Sequence, residues 1–266
     1  MADPFQDIDA VDSRFLDVVV AALEARAAEE QMVQIIERYL DSLNWVDGAT
    51  HVEVGAGTGP IARRMAARAG AACVIAMDPS VNLVKRAATL AEHLDNLECR
   101  VGGGEQLAFD TGSIDSIVMH TVLSHVIEPE ILLKEACRVL KPGGKIVICD
   151  ADFEKTSLGN FAGDPLDSCA RFFVDNVVTQ PYLISNLRQL IVSAGFLLDE
   201  FRVDSRAITD TDGGMAWVRM GTALMVERGL IAQALADALA DEYLRRKEAG
   251  TLYGHQPFGT VIATRP

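Results

Sequence analysis

Hydrophobic positions along this chain follow two periods, and the period changes near residue 50. Residues 11–43 repeat at helical spacing: Phe15, Val18, Val19, Ala22 and Leu23, then Met32, Ile35, Ile36, Tyr39 and Leu40. The charged stretch Glu24–Gln31 predicts a break between two helices. Residues 1–10 read as an irregular arm, and Asp47-Gly48 as a turn. Beyond it, short apolar runs alternate with helical patterns. Strands are predicted at 51–55, 73–77, 97–101, 116–120 and 145–150, and helices at about 60–69, 80–93 and 129–139. Such alternation implies a parallel sheet with right-handed crossovers. Lys141-Pro-Gly-Gly144 reads as a hard stop before the fifth strand. Tyr182–Ala194 predicts a helix stopped by Gly195, followed by a strand at about 196–203. The Ala- and Leu-rich stretch 213–249 is helical again, and Phe258–Ala263 is the last strand.

The first strand runs into the densest glycine cluster, His51-Val-Glu-Val-Gly-Ala-Gly-Thr-Gly-Pro60. Pro60 stands where a helix can begin, because the first helical position needs no donor. Glycines at such a turn let a ligand approach the backbone, and the free N–H groups beyond suit an anion. A dinucleotide fingerprint needs Gly-x-Gly-x-x-Gly. Counted from Gly55 its third glycine falls on Pro60, and counted from Gly57 it falls on Ala62. No Gly-Lys-Ser/Thr follows, which excludes a P-loop. The plain alternative is a glycine turn without a ligand.

Composition narrows the ligand. The net charge of −14 is unsuited to nucleic acid, whose binding needs basic patches. Met1-Ala-Asp-Pro-Phe-Gln-Asp has no apolar signal core, and no stretch reaches the length of a membrane span. The five cysteines form no C-x-x-C pair, so no metal site is expected; Cys73, Cys99 and Cys149 fall in strands predicted to be buried. A reducing, cytoplasmic location is expected.

In an open α/β sheet the ligand lies beyond the carboxyl ends of the strands. Asp78, followed by Pro79 and Ser80, ends the second strand about 20 residues past the glycine turn, where a carboxylate can take a ribose hydroxyl pair. It would equally serve, with Ser80, to cap the next helix. The third strand ends in Gly102-Gly-Gly-Glu105-Gln106, the fourth in His120 with His125 beyond, and the fifth in Asp150-Ala-Asp152-Phe153.

The spacing Glu53-x-Gly-x-Gly-x-Gly resembles motif I of the class I S-adenosylmethionine (SAM) methyltransferases. Further resemblances follow in order. Gly102–Phe109 is similar to the family's Gly-Asp-Ala-Glu-x-Leu-Pro-Phe, His120–Pro129 to its segment ending Leu-x-His-Val-x-Asp/Glu-Pro, and Arg138–Lys145 to its turn into the fifth strand. The opening Asp3–Asp9 and the helix Tyr182–Phe196 resemble bacterial small-molecule methyltransferases of the ubiquinone/menaquinone-biosynthesis type. The resemblance implies a Rossmann-like doubly wound sheet of about seven strands, mostly parallel with an antiparallel last strand. An N-terminal helical cap would span 1–45 and the SAM domain 46–266, with helical inserts at about 151–180 and 213–249. SAM, leaving as S-adenosylhomocysteine, would meet Glu53, Gly55, Gly57, Asp78, Pro79, Gly104, Glu105, Gln106 and backbone at His120. Gly103 replaces the family's Asp, so adenine would instead meet Gly104, Glu105 or Gln106. The implied reaction is methyl transfer to a small molecule, or a cyclisation or rearrangement on the same fold. His125 and Asp152 are candidate bases, with His255 a third. Phe153, Phe161, Phe172, Phe173, Met215, Trp217, Met220 and Met225 would line the acceptor pocket, form plain core or supply a dimer surface.

Overall fold

The computed structural model describes residues 3–10, 13–70 and 72–266. Its strands are β1 (Thr50–Val54), β2 (Cys73–Asp78), β3 (Leu97–Val101), β4 (Ile114–His120), β5 (Leu140–Ala151), β6 (Leu197–Ile208) and β7 (Gly254–Thr264). They form one seven-stranded sheet in the order β3-β2-β1-β4-β5-β7-β6. Pairs from β3 to β5 are parallel, and β7 runs antiparallel to both β5 and β6. The expected fold class is the one observed. Strand order reverses at β1 and β4, which makes their carboxyl ends the topological switch point.

Around the sheet lie α1 (Ser13–Ala28), α2 (Glu30–Leu40), α3 (Pro60–Ala69), α4 (Val81–Leu90), α5 (Pro129–Val139), α6 (Pro165–Val177), α7 (Leu183–Ser193), α8 (Met215–Glu227) and α9 (Gln233–Glu248). Period-two alternation assigns the faces. Val74 and Ala76 point into the cluster containing Ile36 of α2 and Ile61 and Met65 of α3. Ile75 and Met77 point the other way, into the cluster with Leu133 of α5 and Leu187 of α7. A sheet covered on both sides explains why its strands read as nearly continuous apolar runs. Helix α6 packs on α8 and α9 beside the first cluster.

The break expected within Glu24–Gln31 is there, confined to the single extended residue Glu29. Two local expectations need correction. Lys141–Gly144 does not precede the fifth strand but bulges within it. Ile114 pairs with Leu140 and Ser116 with Lys145, so pairing resumes on both sides. Gly143 has φ 78° and its amide donates to the Arg265 carbonyl at 2.8 Å. Cys73 is exposed and Cys99 only half-buried, because β3 is an edge strand and Cys73 is the first residue of β2; Cys149 is buried as expected.

Candidate active site

The glycine turn joins β1 to α3 at the switch point. Gly55, Gly57 and Gly59 have φ of 70°, 56° and 74°, a region L side chains rarely enter. Space is short as well: a Cβ on Gly55 would lie 2.5 Å from Val122 Cγ2. Glu53, 1 % exposed, turns beneath the glycines and accepts the Ala62 amide at 2.7 Å. Burial raises its pKa to about 8. The carboxyl thus satisfies one orphan donor of the α3 N-terminus.

Asp78 ends β2 with both oxygens engaged. Gly57 donates to Oδ2 at 2.8 Å and Ser80 to Oδ1 at 2.9 Å. Burial pushes its pKa up. A carboxylate offers about four lone-pair sites, so these two bonds leave capacity for a hydroxyl pair. The helix cap is Ser80, whose hydroxyl accepts the Leu83 amide at 3.0 Å. Pro79 is exposed beside it. After β3, a Cβ on Gly104 would come 2.8 Å from Val54 Cγ1, while Glu105 and Gln106 are exposed.

His120 ends β4 and is buried. Its Nδ1 lies 3.1 Å from the Tyr39 hydroxyl, and the Phe258 ring stacks at 6.3 Å. Burial, and next Arg26, lower its pKa to about 3, so the imidazole is neutral at physiological pH. Thr121, the next residue, has φ 53°, the one non-glycine positive φ among the described residues.

The fold carries three further pieces over this end of the sheet. Helix α1 crosses the glycine turn: Leu23 Cδ1 lies 3.2 Å from where a Gly57 Cβ would be, and Glu24 accepts the Thr58 hydroxyl at 2.6 Å. The arm is built from two 3-10 turns, Pro4–Gln6 and Ile8–Ala10. Asp3, from it, lies 2.8 Å from His125 Nδ1, and Phe5 packs against the His125 ring at 4.6 Å. Asp9 accepts the Ser80 hydroxyl and the Val81 amide, which holds its pKa below the usual carboxylate range.

The Methyltransferase domain model matches residues 52–148, from the first strand through the fifth. Demethylmenaquinone methyltransferase of Tropheryma whipplei is 38 % identical over 103 residues, covering 39 % of this chain and 42 % of that protein. The chain therefore spans less than half of that relative. Residues 52–148 thus match a methyltransferase domain. An uncharacterized 37.1 kDa protein in a transposon of Streptomyces fradiae is 26 % identical over 250 residues, covering 94 % of this chain and 70 % of that one. The crystal structure of a putative methyltransferase from Bacillus halodurans matches with a TM-score of 0.59 at 17 % identity, covering 87 % of this chain and 98 % of that one.

On the acceptor side the candidates separate. Asp152 is buried rather than solvated, with its pKa raised by burial and its Oδ1 3.4 Å from the Lys155 amide. His255 lies inside β7, not before it, and its Nε2 meets Ser205 Oγ at 2.8 Å. Phe153, Phe173, Met215 and Trp217 are buried in one cluster, and Phe172 and Met220 pack against it. Phe161 is 60 % exposed, with the Arg246 guanidinium 5.8 Å from its ring centre. Among the described residues no helix is long and apolar enough to cross a membrane. A cavity of about 510 Å³ lined by Trp45, Asp115, Lys141 and Lys145 opens at the amino ends of the strands, away from the glycine turn.

Sequence reasoning missed Asp3, Asp9, Glu24, Arg26, Tyr39 and Thr121. Asp3 and Asp9 bound the opening segment and Thr121 lies within His120–Pro129, but nothing in either segment marks these contacts.

Proposed function

We propose that this methyltransferase moves the SAM methyl group onto a small, largely apolar acceptor in the cytoplasm. The observation that carries the reading is the cover over the carboxyl ends of β1 and β4. Leu23 of α1 lies against the glycine turn, and the buried Phe173, Met215 and Trp217 share one apolar cluster with Phe153 beyond β5. A covered, apolar site suits a small molecule better than a chain. The charge of −14 argues in the same direction against nucleic acid.

The residues present fit the cofactor. Asp78 has lone pairs left for the ribose hydroxyls, and its bond to the Gly57 amide fixes the carboxylate against the turn. In this reading Gly55 and Gly57 admit the methionine part past bare backbone, with Glu53 bracing the turn from below. Backbone at His120 faces the same part, Pro79 flanks the ribose, and Gly104, Glu105 and Gln106 border the adenine. Bound SAM supplies an electrophilic methyl on a sulfonium, which is a good leaving group. The chain then has to align the nucleophile and exclude water. In this reading His125, held by Asp3, and Asp152, whose pKa burial raises, are the candidate bases for a hydroxyl or acidic carbon.

Calorimetry should show SAM and S-adenosylhomocysteine binding without NAD binding. A metabolite screen with labelled SAM, read by mass spectrometry, should then give products heavier by one methyl. An isomerised product, or release of methylthioadenosine, would replace methyl transfer by a rearrangement or another use of SAM.

A further inference from the structure

The cavity at the amino ends of the strands has no part in the SAM reading. Its volume of about 510 Å³ falls in the range of small-molecule sites, roughly 300–1,000 Å³. Three segments wall it: the loop from α2 to β1 with Trp45, the start of β4 with Asp115 and Ser116, and the β5 bulge with Lys141, Gly143 and Lys145.

Its charge runs against that of the chain. The whole chain carries −14, yet the charged side chains lining this cavity are two lysines and one aspartate. Asp115 accepts the Thr50 amide at 2.8 Å and the Lys141 ammonium on both oxygens at 2.8 Å. Those two charges cancel. Lys145 then leaves the wall one positive charge in excess, and its Nζ donates only to a neutral group, the Ser42 carbonyl at 3.1 Å. An ammonium has three donors, so Lys145 keeps two for a ligand.

Trp45 presents a ring rather than a donor. Its Nε1 donates to the Leu40 carbonyl at 3.1 Å, and the indole packs on His51 with ring centres 4.5 Å apart. The ring is therefore held in place before any ligand arrives. Ser116, 1 % exposed, has its hydroxyl 2.7 Å from His51 Nδ1. A hydroxyl has one donor and two acceptor sites, so it keeps capacity toward the cavity. His51 Nε2 is buried and finds no partner among the described residues, an unmet polar group in the layer behind Trp45 and Ser116. Gly143 has φ 78° with nothing within 4 Å of where a Cβ would stand, so the bulge meets the cavity as open backbone.

We propose that this cavity binds a small aromatic anion, its ring on Trp45 and its carboxylate or phosphate on Lys145 and Lys141, at a site separate from the glycine turn. A lysine attracts such a group as a point charge, and the fixed indole supplies the apolar wall that a bare inorganic ion cannot use. The inference stands independently of SAM binding, because none of these residues belongs to the cofactor end of the sheet.

The test titrates phenyl phosphate, benzoate, benzamide and inorganic phosphate into the full chain by calorimetry, with and without saturating S-adenosylhomocysteine. The variants are Lys145→Gln, whose amide can still donate to the Ser42 carbonyl, and Trp45→Leu, each with a melting curve. The chain has two tryptophans, so Trp217→Phe leaves Trp45 as the one indole and its emission reports on the cavity. Phenyl phosphate or benzoate should bind about tenfold or more tighter than benzamide, change the Trp45 emission and ignore S-adenosylhomocysteine. Lys145→Gln should weaken the anion about 10- to 100-fold and leave benzamide unmoved. Trp45→Leu should weaken the aromatic anions and leave inorganic phosphate unchanged. The tighter of the two aromatic anions assigns carboxylate or phosphate. The inference falls if wild type shows no preference for the aromatic anions over benzamide, if a folded Lys145→Gln binds them as before, or if S-adenosylhomocysteine competes them away. It falls equally if inorganic phosphate binds as tightly as phenyl phosphate, since the lysines would then attract any anion. Should Trp45→Leu fail to fold, the emission of Trp217→Phe decides the ring contact in its place: no change on binding overturns it.

Discussion

The Gly57 amide donates to Asp78 Oδ2 at 2.8 Å, joining the turn after β1 to the end of β2 across 21 positions of sequence. Asp78 therefore has a bracing duty besides any ligand. Asp78→Ala should weaken SAM about 10- to 100-fold by removing charge-assisted hydrogen bonds. It should also lower stability by about 1–3 kcal/mol, because the Gly57 and Ser80 amides lose their acceptor. Calorimetry beside melting curves separates the two effects. Unchanged SAM affinity in a destabilised variant would leave Asp78 as a brace alone.

Glu53 and His120 give stability opposite pH dependences. Glu53 titrates near 4.5 when unfolded and about 8 when folded. Between those values the folded state holds the extra proton, so stability falls as pH rises. His120 goes from 6.5 unfolded to about 3 folded. Between those values the unfolded state holds the extra proton, so stability falls as pH drops. Denaturant midpoints from pH 4 to 9 should show Glu53→Gln removing the loss of stability as pH rises from 4.5 to about 8, and His120→Asn removing the loss as pH drops below 6.5. Identical profiles for Glu53→Gln and wild type would show that the carboxyl is not protonated beneath the turn.

Arg206 and Glu29 tie the α1–α2 junction to β6. Arg206 is 1 % exposed, and its third bond goes to Gln256 at 2.9 Å. Removing one partner of a buried pair typically costs about 3–5 kcal/mol. Since the Glu29 side chain is 20 % exposed, Arg206→Ala should fall at or below the lower end. Chemical denaturation measures it, and a loss under about 1 kcal/mol would mean that water replaces the pair.

His125 and Asp152 are distinguishable by kinetics once an acceptor is known. If either is the base, its alanine variant should lose about 100-fold or more in kcat while SAM affinity holds. Asp3→Ala should lower kcat in the same direction as His125→Ala, since Asp3 holds the His125 ring at 2.8 Å. A His125→Ala variant that turns over normally but melts earlier would make this contact a fastening for the arm.

The sequence by itself determined the α/β class, the glycine turn and the acids at the ends of β1 and β2. Those features are local. Period-two apolar runs, positive-φ glycines and a carboxylate at a strand end each declare themselves within a few residues. Strand extent was less legible: pairing with β7 extends β6 to Ile208, and bulged pairing with β4 carries β5 through Lys141–Gly144. The tertiary structure alone decided what covers the turn. Asp3 meets His125 across 122 positions, Arg26 meets Thr121 across 95, and Arg206 meets Glu29 across 177. An arginine at helical spacing looks the same in sequence whether solvent, a carboxylate or a strained threonine awaits it. Only packing α1 across the ends of β1 and β4 distinguishes Arg26 from its neighbours, because its partners are fixed by where the helix lands.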